Sequence, residues 1–139
     1  MKLLTLLLLL ATFPAISQKR TAIIIGGLIA GIADGQREVI VHNPWAYRYR
    51  HPNANERWWN PDSTWRRADS YPQMFVFAAD KYHLNQFIRQ SMFLGQTTLV
   101  VTLHIGEKIN WKRLLIDLAL AQGSYMIGKG LTHKYYDVF

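Results

Sequence analysis

The chain has 139 residues, of which half are hydrophobic, and it carries a formal net charge of +7 at pH 7 and no cysteine. The lack of cysteine excludes a disulfide framework, a thiolate metal site, a cysteine nucleophile and lipoprotein attachment. The positive charge suits anionic lipid headgroups better than nucleic acid, because the sequence contains no motif typical of nucleic-acid recognition.

The N-terminus is typical of a secretory signal segment. A positive start precedes a leucine-rich apolar run over residues 3–13, and Ala15 and Ser17 stand where small residues precede a cleavage site. We therefore predict a signal peptide over residues 1–17 and one helical domain over residues 18–139. The alternative is an uncleaved anchor, because a second apolar run begins only two charged residues later.

The apolar residues that follow fall into blocks, which predict an all-α fold. Each block is shorter than the ~20 residues that span a typical hydrocarbon core, so a soluble, exported bundle of amphipathic helices is one interpretation. The other, which we adopt, is a small helical bundle of three to four helices embedded in the inner membrane of a bacterial cell envelope. Its predicted crossings are residues 21–42, 74–91, 93–105 and 114–129, or fewer if residues 74–105 form one helix.

Three glycines favour the membrane interpretation. Gly27, Gly31 and Gly35 recur at a spacing of four in the first block. Inside a soluble helix each would cost about 1 kcal/mol relative to alanine, whereas in a bilayer a ridge of small residues allows two helices to approach closely. The spacing therefore predicts a close helix–helix contact along this ridge.

The connection over residues 43–72 is rich in tryptophan, tyrosine, arginine and proline. The first three residue types are typical of the headgroup layer, and the prolines predict an extended or turn-rich chain. We expect membrane lipids as partners, no nucleic acid, and leave a homo-oligomer open. The alternative is an ordinary loop whose tryptophans anchor a core. The predicted lipid- or partner-binding residues are Trp58, Trp59, Trp65, Arg66 and Arg67.

The distribution of arginine also predicts a topology. Five arginines lie in the connection over residues 43–72, which places that connection on the cytoplasmic side under the positive-inside tendency. With four crossings, the C-terminus would then face outward.

Ionisable residues share helix faces with the apolar blocks. Asp34, Glu38 and His42 recur at a spacing of four, and Asp80 and His83 at a spacing of three, so each set lies on one face of a helix. Carboxylates and imidazoles from several helices are the ligands that divalent-metal sites use without thiolates. We predict that the five residues converge, either as a catalytic or metal centre or as a structural lock. The predicted metal ligands are Glu38, His42, Asp80 and His83.

Simpler roles remain open for each of these residues, and the sequence does not decide whether the protein is an enzyme. Asp34 and Glu38 can pair with Arg37 or Arg89, and His42 can belong to a helix end. Another acid, Asp117, stands alone in an apolar block, where a carboxylate must be neutral or paired with a cation from another helix.

Several short motifs lie along the chain. They comprise Ala30, Gly31, Ile32, Ala33, Asp34 and Gly35, then His42, Trp59, Asn60, Pro61, Ser63 and Trp65, and finally Asp80, Tyr82 and His83. Together they resemble a group of small, uncharacterised bacterial membrane proteins, which share an A-G-x-x-[DE]-G turn into a helix, a W-N-P and S-W connection and a D-x-x-H helix start. The resemblance implies a helical membrane protein and brings no established activity.

Overall fold

The computed structural model describes residues 15–60, 72–104 and 108–137, and within these ranges the regular structure is entirely helical. Three long helices dominate: α1 (Ala15–His42), α4 (Lys81–His104) and α5 (Trp111–Tyr136). Between α1 and α4 lie the short helices α2 (Pro44–Arg50) and α3 (Glu56–Trp59) and a 3-10 helix (Gln73–Ala78). The predicted all-α bundle is confirmed. Most of the predicted signal segment, residues 1–14, lies outside the described residues.

Helix α1 is the centre of the bundle. It packs along both α4 and α5, which touch each other much less. Asp34 meets Arg89 and Arg37 meets Tyr82, so α4 runs antiparallel to α1. On the other side of α1, Arg20 contacts Asp117 and Glu38 contacts His133, so residue numbers increase together along α1 and α5. Helix α5 therefore runs parallel to α1.

Side-chain caps define where four of the helices begin. The amide oxygens of Asn43, Asn55 and Asn110 accept backbone N–H bonds of 3.2, 3.0 and 3.1 Å at the starts of α2, α3 and α5. Asp80 does the same for α4, because its Oδ1 accepts a 2.9 Å bond from the backbone N–H of His83. A cap satisfies a backbone donor that has no partner within the helix, which fixes the first turn.

The glycine ridge of α1 lies directly against α5, as its spacing predicts. A Cβ atom added to Gly31 would overlap the carbonyl oxygen of Tyr125, and one added to Gly27 would overlap the hydroxyl of Ser124. Helix α5 carries small buried residues at the same spacing, namely Ser124, Gly128 and Thr132. The two backbones approach closely because neither helix carries a large side chain along this line.

The bundle buries several polar side chains together with its apolar core, and it exposes many large apolar side chains. Ile23 and Ile40 are the large aliphatic side chains that are completely buried among the described residues. Many apolar side chains of the long helices, by contrast, are more than a third exposed. They include Ile25, Ile29 and Ile32 on α1, Phe87, Phe93, Leu94 and Val101 on α4, and Leu115, Ile116, Leu118, Met126, Ile127 and Leu131 on α5.

One feature of the predicted crossings needs correction. Residues 81–104 form one helix, so the separate crossings at 74–91 and 93–105 are wrong and the one-helix alternative is closer. Among the described residues, none of the helices combines the length and the apolar character that a membrane span requires.

An aromatic cluster closes one end of the bundle. Tyr47 of α2 lies 4.9 Å from Trp59 of α3 and 5.7 Å from Tyr136 of α5, measured between ring centroids. Nε2 of His51 is 2.8 Å from the hydroxyl of Tyr136. The connection after α1 and the end of α5 therefore lie at the same end of the bundle. Because Tyr47 and Tyr136 are in ring contact, these two segments cannot lie on opposite sides as the predicted topology requires.

Candidate functional site

Asp34 is the centre of the largest polar cluster in the described part of the chain. It is 2% exposed, and its Oδ2 accepts a 2.5 Å hydrogen bond from the hydroxyl of Tyr125. Lys129 Nζ lies 3.3 Å from the same oxygen. Oδ1 lies 3.1 Å from Nη2 of Arg37 and 3.6 Å from Nε of Arg89. Both oxygens of the buried carboxylate are therefore engaged, and all three long helices contribute a partner.

Glu38 lies one turn further along α1 and extends the cluster. Its Oε1 accepts a 2.5 Å bond from Nζ of Lys129, and its Oε2 lies 3.1 Å from Nε2 of His133. Lys129 therefore bridges Glu38 and Asp34. Without the positive charge of Lys129 between them, the two carboxylates would repel each other.

Three of these partners lie on one ridge of α5. Tyr125, Lys129 and His133 recur at a spacing of four, the spacing that Asp34 and Glu38 have on α1. Tyr125 and Lys129 are not among the site residues predicted from the sequence. The signal that could have found them is this matched spacing, because parallel helices bring equal spacings together.

Asp80 and His83 form a separate pair. Nδ1 of His83 lies 2.7 Å from Oδ2 of Asp80, and the other carboxylate oxygen caps α4. Asp80 is fully buried. Within the described ranges, no hydrogen bond or ion pair joins either residue to Asp34 or Glu38. The predicted convergence of all five residues is therefore not found, and Asp80 with His83 has the structural role of a helix start.

His42, exposed at the end of α1, lines a pocket beside Glu38 and His133, but among the described residues no hydrogen bond or ion pair joins it to the cluster. Among the described residues, no three histidine, aspartate or glutamate side chains are placed to hold a metal ion together. The predicted ligand set of Glu38, His42, Asp80 and His83 is thus divided among a lysine-bridged carboxylate, an exposed imidazole and a capping pair. Each carboxylate has its charge or hydrogen-bonding needs met by protein groups.

Asp117 anchors the opposite end of the α1–α5 contact. It is 1% exposed, and its Oδ1 accepts a 2.6 Å bond from Nε of Arg20. Nε2 of His104 lies 3.3 Å from its other oxygen. The prediction that Asp117 is neutral or paired with a cation from another helix is confirmed in its second form.

The predicted lipid- or partner-binding residues of the connection differ in their surroundings. Trp59 is 3% exposed and belongs to the aromatic core cluster, so it is a packing residue and not part of an exposed lipid- or partner-binding surface. Trp58 is half-buried. Trp65, Arg66 and Arg67, the other predicted binding residues, lie outside the described residues.

A lateral groove lies beside the Asp34 cluster. An open groove of about 870 Å³ lies between α4 and α5, which contact each other little, and Ala30 of α1 lines it as well. Arg89 and Tyr125, two partners of Asp34, also line this groove. Most of the remaining wall is apolar and is formed by Phe93, Val100, Val101, Leu114, Leu118 and Ala121.

This arrangement is better suited to stabilising the bundle and binding a ligand than to transferring protons. The carboxylate of Asp34 is held by a hydroxyl and three cations, which favour its charged form and leave it little capacity as a base. Arg89 differs from the other cations, because its buried Nε has no hydrogen-bond partner in the part of the chain that the structure describes. The groove therefore offers an apolar wall with one under-satisfied guanidinium at its end.

Comparison of the chain with protein-family models, with curated proteins and with solved structures found no match.

Proposed function

We propose that the protein is a non-enzymatic integral membrane module of the bacterial cell envelope, located in the inner membrane. Its buried ion pairs lock three helices together around a lateral groove that opens to the bilayer. This proposal assigns the Asp34 cluster the role of a structural lock instead of a catalytic or metal centre.

The observation that carries the proposal is the combination of buried polar contacts between the long helices with an extensive apolar surface on them. Asp34, Gln96, Asp117 and Ser124 are buried, while the surfaces of α1, α4 and α5 expose isoleucine, leucine, phenylalanine and methionine. In water, an apolar surface of this extent would be costly and would promote aggregation. In hydrocarbon it costs nothing, and polar side chains are then expected to face the helix–helix contacts.

The contacts of the cluster favour a lock over catalysis. Asp34 contacts Arg37 on its own helix, Arg89 on α4, and Tyr125 and Lys129 on α5. Such pairs hold helices in one register where the hydrophobic effect between helices is weak. A reacting group would instead need an accessible oxygen, and both oxygens of Asp34 are engaged.

A second candidate function is an acid–base centre at Asp34. The hydroxyl of Tyr125 favours it, because this residue both contacts Asp34 and lines the groove. A substrate in the groove would meet Tyr125 before Asp34, so Tyr125→Phe would abolish turnover in an enzyme. In a lock, the same change removes one hydrogen bond and leaves binding in the groove intact.

The membrane assignment is tested by fractionation with a matched pair of variants. Met126 is 63% exposed within α5, and Ile109 is 53% exposed just before that helix begins. Met126→Arg would place a charge in hydrocarbon at a cost of about 3 kcal/mol, whereas Ile109→Arg would place it near the headgroups.

We expect the wild-type chain and Ile109→Arg to stay with the membrane after alkaline extraction, and Met126→Arg to show a reduced inserted fraction. Recovery of the wild-type chain in the soluble fraction, or equal insertion of both variants, would overturn the assignment.

A further inference from the structure

We propose that the groove between α4 and α5 binds one acyl chain of an anionic membrane phospholipid, with the lipid phosphate against the guanidinium of Arg89. The proposal rests on the membrane assignment above. It adds a specific ligand and a specific recognition residue to that assignment.

The wall of the groove suits a hydrocarbon chain. Phe93, Val101 and Leu118 project exposed apolar surface along it, and Ala30 and Ala121 keep the floor free of bulk. A narrow apolar channel open on one side admits an unbranched chain that stays continuous with the surrounding lipid. Three neutral polar side chains, Gln96, Thr97 and Gln122, interrupt the lining. Gln96 is already committed, because it donates a 2.6 Å hydrogen bond to the carbonyl oxygen of Ile23.

The length of the groove also agrees with an acyl chain. It runs along α4 from Arg89 at one end to Val101 near the other. At a rise of 1.5 Å per residue, these twelve steps along the helix correspond to about 18 Å. That distance is comparable to one leaflet of a ~30 Å hydrocarbon core, so the groove is long enough to hold most of one acyl chain beside α4.

Charge complementarity selects an anionic headgroup. The cluster holds three permanent cations, Arg37, Arg89 and Lys129, against two carboxylates, Asp34 and Glu38. Arg37 and Lys129 each make contacts of 3.2 Å or less with these carboxylates. Arg89 reaches Asp34 only at 3.6 Å, and its buried Nε has no hydrogen-bond partner among the described residues. The surplus positive charge therefore lies on Arg89, at the end of the groove.

Arginine is also suited to this role by its chemistry. A guanidinium binds phosphate oxygens through two parallel N–H bonds and is desolvated more easily than an ammonium group. Its side chain is 35% exposed, so the outer nitrogens can reach a phosphate while Asp34 still balances the inner one. The long side chain can also extend towards the headgroup layer from within a helix.

The experiment uses the full chain, purified in detergent and stripped of lipid, with dioleoyl phosphatidylglycerol as the probe and dioleoyl phosphatidylcholine as the neutral comparison. Binding is measured by native mass spectrometry. Two pairs of variants separate the charge from the groove. Arg89→Gln is compared with Arg113→Gln, and Thr97→Trp, which fills the groove, with Thr98→Trp on its exposed neighbour outside the lining.

We expect the wild-type chain to retain the anionic lipid in preference to the neutral one. Arg89→Gln should weaken retention about tenfold, the effect of one lost charge-assisted hydrogen bond, and Thr97→Trp should abolish it. Arg113→Gln and Thr98→Trp should remain within about twofold of the wild type, since exposed substitutions contribute little.

Equal retention of the two lipids by the wild-type chain would overturn the proposal, as would equal effects within either pair. A dimer of the stripped chain that Thr97→Trp dissociates would also overturn it, because a second copy would then occupy the groove. These outcomes are distinct from failure of the membrane assignment, which alkaline extraction tests without reference to any bound lipid.

Discussion

Asp34 and Tyr125 are joined by a 2.5 Å hydrogen bond across 91 positions of the chain, and Glu38 and Lys129 are joined across the same 91 positions. The equal separation means that α1 and α5 run parallel and advance together, one turn for one turn. The small residues that face each other in the same interface bring the backbones close enough for these side chains to meet. The polar contacts and the glycine contacts are therefore one feature of the fold.

Replacing Asp34 by asparagine should strongly destabilise the bundle. The variant would leave Arg37, Arg89 and Lys129 near a neutral amide, and loss of one partner from a buried ion-pair network costs about 3 kcal/mol or more. The free energy of unfolding can be measured by titration with a denaturing detergent, followed by circular dichroism. Asp137→Asn, at an exposed position after α5, is the control and should change stability by less than about 0.5 kcal/mol. Equal stability of Asp34→Asn and the wild type would show that the cluster is not a lock.

The glycines of the bundle should divide by position when each is replaced by alanine. An added Cβ at Gly31 would overlap the backbone of α5, whereas one at Gly130 would meet no atom of the described residues within 4 Å. Gly31→Ala should therefore destabilise by about 1–3 kcal/mol through forced separation of the helices. Gly130→Ala should stabilise by up to about 1 kcal/mol, because alanine is the better helix former. Thermal unfolding in detergent distinguishes the two, and the same sign of change in both would contradict the close contact.

The connection after α1 and the C-terminus should lie on the same side of the membrane. This expectation follows from the packing of Tyr47 and Trp59 near Tyr136. Reporters that are active only in the cytoplasm can be inserted at Asn53, in the exposed turn after α2, and fused after Phe139. Both should be active or both inactive, and an insertion at Ile109 should give the opposite result. Different signals from the first two positions would be incompatible with three crossings.

The aromatic end cluster should loosen in acid. Burial, and second the positive charge of Lys81, lower the pKa of His51 below its ordinary value of 6.5. The folded chain therefore favours the neutral imidazole more than the unfolded chain does. The contribution of His51 to stability is complete above pH 6.5 and is lost as the pH falls from there through the lower folded pKa.

Amide hydrogen exchange in α2 is the appropriate measurement, because it reports this end of the bundle and not the histidines elsewhere. Exchange should accelerate as the pH is lowered through this range, after correction for the intrinsic rate. His51→Phe keeps an aromatic ring but cannot titrate, so its corrected exchange should not depend on pH. A wild-type profile as flat as that of the variant would show that His51 does not control the cluster.

The sequence by itself determined the helical class and the main close contact. The block pattern predicts helices, and the spacing of Gly27, Gly31 and Gly35 predicts the ridge that meets α5. It also established that Asp117 needs a neutral form or a cation, since an isolated carboxylate in an apolar block has no other low-energy state. These predictions succeed because they depend on properties local to one helix, namely its periodicity, its small residues and the cost of an unpaired charge.

Only the tertiary structure decided which charged residues meet. Helical spacing places Asp34 and Glu38 on one face, but it does not say that Tyr125 and Lys129 lie opposite them, because that depends on the parallel packing of α1 and α5. The start of α4 at Lys81 makes Asp80 a cap and His83 its neighbour in the first turn, which removes both from the expected cluster. The spacing of residues within one helix stays the same however that helix is rotated or shifted against its neighbours. The partners of each helix face are therefore fixed only when all three helices pack together.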